Sequence, residues 1–332
     1  MDMDIVSFKR RFDPILGVVL DKKMKALTRD PYILEIAKHG RTLVMEGGKR
    51  IRPYLAYIAY QSAKRKAQSV KSDKEILEIL VGLELFHAFA LVHDDIMDRG
   101  KDRHGVPTAN RKFGDAQAIL LGDLLFNWAS EIIAPTKGQA VFVQMVDEVI
   151  LGQMLDVDAI RRDRVSDGFV QDKMRLKTAS YSFIRPMQLG AALAQSEKRK
   201  AQSMMGFCER FGLPLGLAFQ IQDDLLDLTA SSKKLGKSAM NDVKEGQKTV
   251  FTQCASRKPV NRAFLNKMKG KNLNVADRKR IKEMFEESGA IEYGTKLMEK
   301  YFVEAEEVLR GMSTASARAF QELISFIRVR AS

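Results

Sequence analysis

Two stretches of this 332-residue chain share one pattern. FALVHDDIMDRG, from residue 89, and FQIQDDLLDL, from residue 219, each bring an apolar run to an Asp-Asp-x-x-Asp cluster. Chance supplies roughly a tenth of one such match in a chain of this composition, so two in similar settings call for a chemical reason. On a helix, residues four apart differ by about 40° in direction, which places Asp94 with Asp98, and Asp223 with Asp227, on one face. Carboxylates crowded in this way repel one another unless a cation joins them. A hard divalent ion with oxygen ligands removes that cost, and magnesium in particular binds through one or two carboxylates together with water and substrate phosphates. The paired clusters predict a diphosphate clamp, with Asp94, Asp95, Asp98, Asp223, Asp224 and Asp227 as its metal-site candidates.

Phosphates also need cations. GGKRIRP, from residue 47, offers two glycines that permit close backbone approach, then Lys49, Arg50 and Arg52, whose guanidinium forks suit bidentate phosphate binding. The spacing is not that of a Walker P-loop, which argues against a nucleotide. The net charge of +13 and pI near 9.6 invite a nucleic-acid reading. Lys and Arg are scattered, however, and no aromatic residues interleave with the one dense run, KRK, so the sequence predicts no nucleic-acid partner. A basic field around an acidic cleft favours small anionic substrates instead.

The elements that must position these groups read as helices. SDKEILEILVGLELFHAFALVHDD opens with a capping box, Ser72 and Glu75, and spaces Ile76, Leu80, Leu83, His87 and Leu91 along one helix that ends at the first cluster. MMGFCERFGLPLGLAFQIQDDLLDL leads likewise to the second, with Gly212 and Pro214 predicting a kink. LTASSKKLGKSAMND then reads as a polar loop, and KRKAQS occurs at both residues 64–69 and 198–203 without further consequence. No Pro-, Gly- or Ser-rich linker divides the chain. The expectation is an all-α fold, a large single-domain helical bundle over residues 1–332. Cys208 and Cys254 are too few for a disulfide framework and read as buried thiols. With no signal-like N-terminus and no 18-residue apolar run, the sequence predicts a cytoplasmic protein without integral membrane association.

GGKRIRP, ELFHAFALVHDDIMD, GQMLD, KTA, FQIQDDLLD and GKSAMNDVKEGQKT together resemble the motifs of the trans-isoprenyl diphosphate synthases, or polyprenyl synthetases, in order and spacing over about residues 40 to 250. The resemblance implies helices around a deep central cavity, a homodimer, and about three Mg²⁺ per active site. It implies that Asp94, Asp98 and Asp223 ligate the metal directly, while Asp95, Asp224, Asp227 and Asp242 hold metal-bound water or complete the clusters. Isopentenyl diphosphate and an allylic diphosphate are the implied substrates, joined by ionisation, condensation and elimination. Arg103, Lys177 and Lys237 are the implied cations on the allylic diphosphate, with Thr178 and Gln220 beside the developing carbocation. Lys49, Arg52 and His87 are the implied isopentenyl diphosphate site, and Gln153 and Asp156 belong to the segment facing the cavity.

Two residues depart from the pattern. His104 stands where the family commonly has a second arginine, which implies weaker, pH-dependent anion binding there. Gln247 stands where it usually has a lysine, with Lys248 next along. In the family the residues just before the first cluster floor the elongation cavity. Phe89 with the small Ala90 resembles the enzymes that stop at twenty carbons, so the expected product is geranylgeranyl diphosphate, with farnesyl diphosphate second. The second aspartate cluster and GGKRIRP argue against a terpene cyclase, and two intact clusters argue against a non-catalytic subunit of the same fold.

Overall fold

In the computed structural model of the chain, which describes residues 4–27, 29–64, 72–194, 198–229, 240–312 and 314–329, Asp4 caps the first helix. It accepts a hydrogen bond from the Ser7 amide at 2.7 Å, and Phe8, Phe12, Leu16 and Leu20 form the buried stripe of α1 (Ile5–Lys25). Each such side chain contributes about 1.5–3 kcal/mol by leaving water. Asp30 and Pro31 start α2 (Pro31–Met45), and α3 (Ile51–Ala63) follows the GGKRIRP turn. In α4 (Asp73–Met97) the expected capping box is present, Ile76, Leu80 and Leu83 are buried, and the first aspartate cluster falls on the last turn. Among the described residues α4 is the one helix long and apolar enough to cross a membrane; 67% of its most apolar window is buried inside the fold.

Beyond it come α5 (Ala109–Phe113), α6 (Asp115–Ile133), α7 (Gln139–Ala159), α8 (Asp167–Met174), a π-helical segment (Arg175–Ile184), α9 (Arg185–Leu193) and α10 (Lys198–Thr229). Pro214 lies inside α10, which remains helical through it to the second aspartate cluster. Six further helices between Asn241 and Arg328 complete the described chain. The fold is all-α as expected. The only strands among the described residues are the two-residue β1 (Asp102–Arg103) and β2 (Val106–Pro107), joined by His104 and Gly105 at φ 51° and 80°. Positive φ at both central residues is what a type I′ hairpin turn demands.

The chain gathers into two compact units, Met1–Val143 with Arg185–Gly206, and Gln144–Ile184 with Phe207–Ser332. In the first, α4 packs along α6, where a Cβ on Gly122 would strike the His93 ring and one on Gly82 would lie 2.7 Å from Ile133. In the second, α7 and α10 both press on the π-helical segment at glycines. A Cβ on Gly152 would lie 2.5 Å from the Lys177 backbone nitrogen, and one on Gly216 would overlap Ala179. One turn beyond each glycine stands Asp156 or Gln220, which therefore faces the same segment.

Candidate active site

In the first unit the GGKRIRP turn is made by left-handed residues, Gly47, Gly48 and Arg50, at φ 73°, 64° and 56°. Arg50, grouped by its sequence with the phosphate-binding cations, is buried. It donates to Asp13 at 2.8 Å, to Glu84 at 2.5 Å and to the carbonyls of Val44 and Met45. Its role is to anchor the turn, which leaves Lys49 exposed and sets Arg52 on the first turn of α3. The hairpin turn lays His104 against the same loop, since a Cβ on Gly47 would fall 2.5 Å from the His104 ring. His87, on α4, is held neutral at pH 7. Burial pushes its pKa well below the usual value, and Arg52, Arg103, Arg50 and His104 push it further. The structure thus brings Arg52, His87, Arg103 and His104 into one basic neighbourhood.

At the end of α4, Asp94 is half-buried, Asp98 is exposed and Asp95 points inward. Arg103 grips both Asp95 carboxylate oxygens, Nε at 2.8 Å and Nη2 at 2.7 Å, a bidentate pair fixed by the hairpin. The Asp95 carbonyl accepts from the Gly100 amide at 2.8 Å, which closes the turn after the helix. Before the cluster, the Phe89 ring lies 4.7 Å from His93, 5.2 Å from Phe126 and 5.5 Å from Phe86, with the half-buried Ala90 beside it in sequence.

In the second unit, Thr178 on the π-helical segment donates to the Gln220 side-chain oxygen, and Gln220 Nε2 donates to Asp224 Oδ1 at 2.7 Å. Asp224 is buried, like Asp95 in the first cluster, while Asp223 and Asp227 are half-buried. Asp227 accepts from the backbone amides of Asn241 and Asp242, at 3.1 and 3.0 Å. Burial pushes the Asp224 carboxyl up to about 7, with repulsion from Asp223 and Asp227 adding to it. Burial followed by Asp224 and Asp227 likewise raises Asp242. Lys173 opposes both shifts without cancelling them. Among the described residues no three His, Cys, Asp or Glu side chains surround a single point. That donor set suits an ion held by one or two carboxylates whose shell is completed by water and a diphosphate.

Lys177 donates to Asp156 Oδ2 at 2.6 Å, and Lys173, one turn earlier, donates to Asp156 Oδ1 at 2.8 Å. Sequence reasoning passed over Lys173; its signal was the four-residue spacing to Lys177, which puts both on one face. Gln153 lies on α7 near Asp156 in sequence. Gln247 is buried, its side-chain carbonyl without a hydrogen-bond partner among the described residues. Lys248 is half-buried, and burial lowers its pKa. Cys208 is buried, whereas Cys254 is partly exposed. Lys237 and most of the polar loop around it lie outside the described residues.

Comparison with known proteins bears on the fold and the family. The family profile described as Polyprenyl synthetase matches residues 34–288. The geranylgeranyl diphosphate synthase of Methanosarcina mazei is 32% identical over 284 residues, 83% of either chain. The geranylfarnesyl diphosphate synthase of Natronomonas pharaonis is 36% identical over 230 residues, 64% of this chain and 66% of its own. A crystal structure of geranylgeranyl pyrophosphate synthase from Corynebacterium glutamicum, complexed with isoprenyl diphosphate and magnesium, superposes with a TM-score of 0.89 over 100% of both chains at 26% identity. From motif, geometry and likeness together, the chain belongs to the polyprenyl synthetase family of trans-prenyltransferases.

Proposed function

We propose that the chain joins isopentenyl diphosphate to allylic diphosphates with the help of magnesium, and that its main product is geranylgeranyl diphosphate. One observation carries the reading. Each aspartate cluster turns its middle carboxylate inward, Asp95 to Arg103 and Asp224 to Gln220, while the aspartates around it are more exposed and share a helix face. Asp94, Asp98 and Asp223 would hold about three metal ions, with Asp95, Asp224, Asp227 and Asp242 behind them. Magnesium bound there supplies positive charge to a departing diphosphate.

The chain's own groups do the rest. Lys177, Lys237 and Arg103 hold the allylic diphosphate as its C–O bond breaks and negative charge builds on it. The Thr178 and Gln220 oxygens lie beside the allylic carbon, where positive charge develops. Lys49 and Arg52 bind isopentenyl diphosphate through charge without a metal, His104 joins them from against the Gly47 loop, and the neutral His87 serves as a hydrogen-bonding group there. The isopentenyl double bond attacks the cation, and loss of one proton to the released diphosphate gives a chain longer by five carbons. Apolar walls exclude water that would quench the cation. The half-buried Phe89, wedged among Phe86, His93 and Phe126, floors the cavity.

The same reading expects a cytoplasmic homodimer. Exposed apolar residues on α7 (Ile150, Leu151, Met154, Val157) support an apolar partner surface. The test of the product is to incubate purified protein with isopentenyl diphosphate, magnesium and each allylic primer, then separate the dephosphorylated products by chain length. A twenty-carbon alcohol is expected. A fifteen-carbon product would favour farnesyl diphosphate, twenty-five would move the floor below Phe89, and thirty or more would overturn the short-chain assignment.

A further inference from the structure

Asp156 holds one lysine on each carboxylate oxygen, Lys173 at 2.8 Å and Lys177 at 2.6 Å. The two lysines differ in setting. The Lys173 side chain is 9% exposed, that of Lys177 28%, and that of Asp156 8%. Burial opposes the Asp156 charge, but Lys173 and then Lys177 outweigh it and keep the carboxyl below its usual pKa. Removing the only cation from a buried carboxylate leaves an uncompensated charge and is strongly unfavourable. With two cations present, one can leave while the other still neutralises the site.

We propose that Lys173 is a positioning residue that makes Lys177 exchangeable: it keeps Asp156 neutralised while Lys177 moves from Asp156 to an incoming diphosphate. Gly152 supports this division. It lets α7 approach the Lys177 backbone closely, so the carboxylate one turn away is within reach of both lysines. The excess positive charge of two lysines on one aspartate also draws an anion to the exposed member of the pair. Without Lys173, Asp156 would be a trap for Lys177. This inference rests on the reading that Lys177 contacts the allylic diphosphate.

The experiment is calorimetric binding of inorganic diphosphate, in excess magnesium, to the full chain and to four variants. Lys177→Met reports on the underlying reading and should weaken binding. Lys173→Met should weaken binding by about tenfold to a hundredfold, part of the cost of unpairing a buried charge, reduced because Lys177 is partly exposed. Lys173→Gln, which keeps a donor and drops the charge, should do the same. Lys173→Met combined with Asp156→Asn removes the trap and should restore affinity close to that of the parent. If Lys177→Met binds like the parent, the reading of Lys177 fails. If Lys177→Met weakens binding while both Lys173 variants bind like the parent, the exchange role alone is overturned. A loss that Asp156→Asn does not relieve also overturns it, since it marks Lys173 as merely structural.

Discussion

Replacing Asp224 by asparagine, with magnesium withheld, isolates the carboxylate repulsion built into the second cluster. Burial first, opposed by the Gln220 hydrogen bond and Lys173 and reinforced by Asp223 and Asp227, raises this carboxyl from 3.8 to about 7. The folded state therefore binds more protons than the unfolded state between those values. Stability falls as pH rises through that window and levels off above it. Integrating a single site over pH 5 to 7.5 gives a loss of about 2–3 kcal/mol, to which Asp242 adds in the same direction. The assay is urea unfolding, followed by circular dichroism, of parent and Asp224→Asn in a chelating buffer across that range. The parent should lose stability with rising pH, the variant should lose about 2–3 kcal/mol less, and magnesium should flatten the parent's curve more than the variant's. Parallel pH curves for the two proteins would refute the argument that Asp224 is a buried carboxylate short of countercharge.

Other expectations follow from single contacts. Gly152→Ala puts a Cβ 2.5 Å from the Lys177 nitrogen and 2.8 Å from its Cα, so backbone must shift. It should cost about 1–3 kcal/mol in thermal unfolding and raise KM for the allylic substrate more than for isopentenyl diphosphate; unchanged stability would mean the two segments are looser than they are drawn. Lys49→Ala should raise KM for isopentenyl diphosphate alone, and an equal rise for both substrates would count against the division of the two sites. Phe89→Ala should lengthen the product by one or more five-carbon units, while an unchanged product distribution would remove Phe89 from the floor.

Much of the positioning was legible in sequence because it is local. The Ser72 and Glu75 capping box, the apolar stripe of α4 and the four-residue spacing within each cluster follow from helix geometry alone. What escaped was set by tertiary packing. The His104-Gly105 turn carries a hairpin signal, but only the folded chain shows that it swings Arg103 onto Asp95 and His104 onto Gly47. Arg50 looks like Lys49 and Arg52 in sequence, and is separated from them by a left-handed φ that sends its side chain to Asp13 and Glu84. The π-helical turn at Lys177 and Thr178 has no periodic signature; it exists between close contacts at Gly152 and Gly216. Pro214 sits inside α10, which stays helical through it, because a proline removes one backbone hydrogen bond and leaves the rest.

In the proposed reaction both aspartate clusters act on the ionisation of one allylic diphosphate. The most direct test is incorporation of labelled isopentenyl diphosphate, with magnesium and an allylic primer, by the parent, Asp94→Ala and Asp223→Ala, each checked for parent-like helicity. Each variant removes a carboxylate whose main effect is on the transition state, so turnover should fall by about three orders of magnitude or more in both. Turnover within about tenfold of the parent for either one, a loss of less than about 1.4 kcal/mol of transition-state stabilisation, would contradict the account.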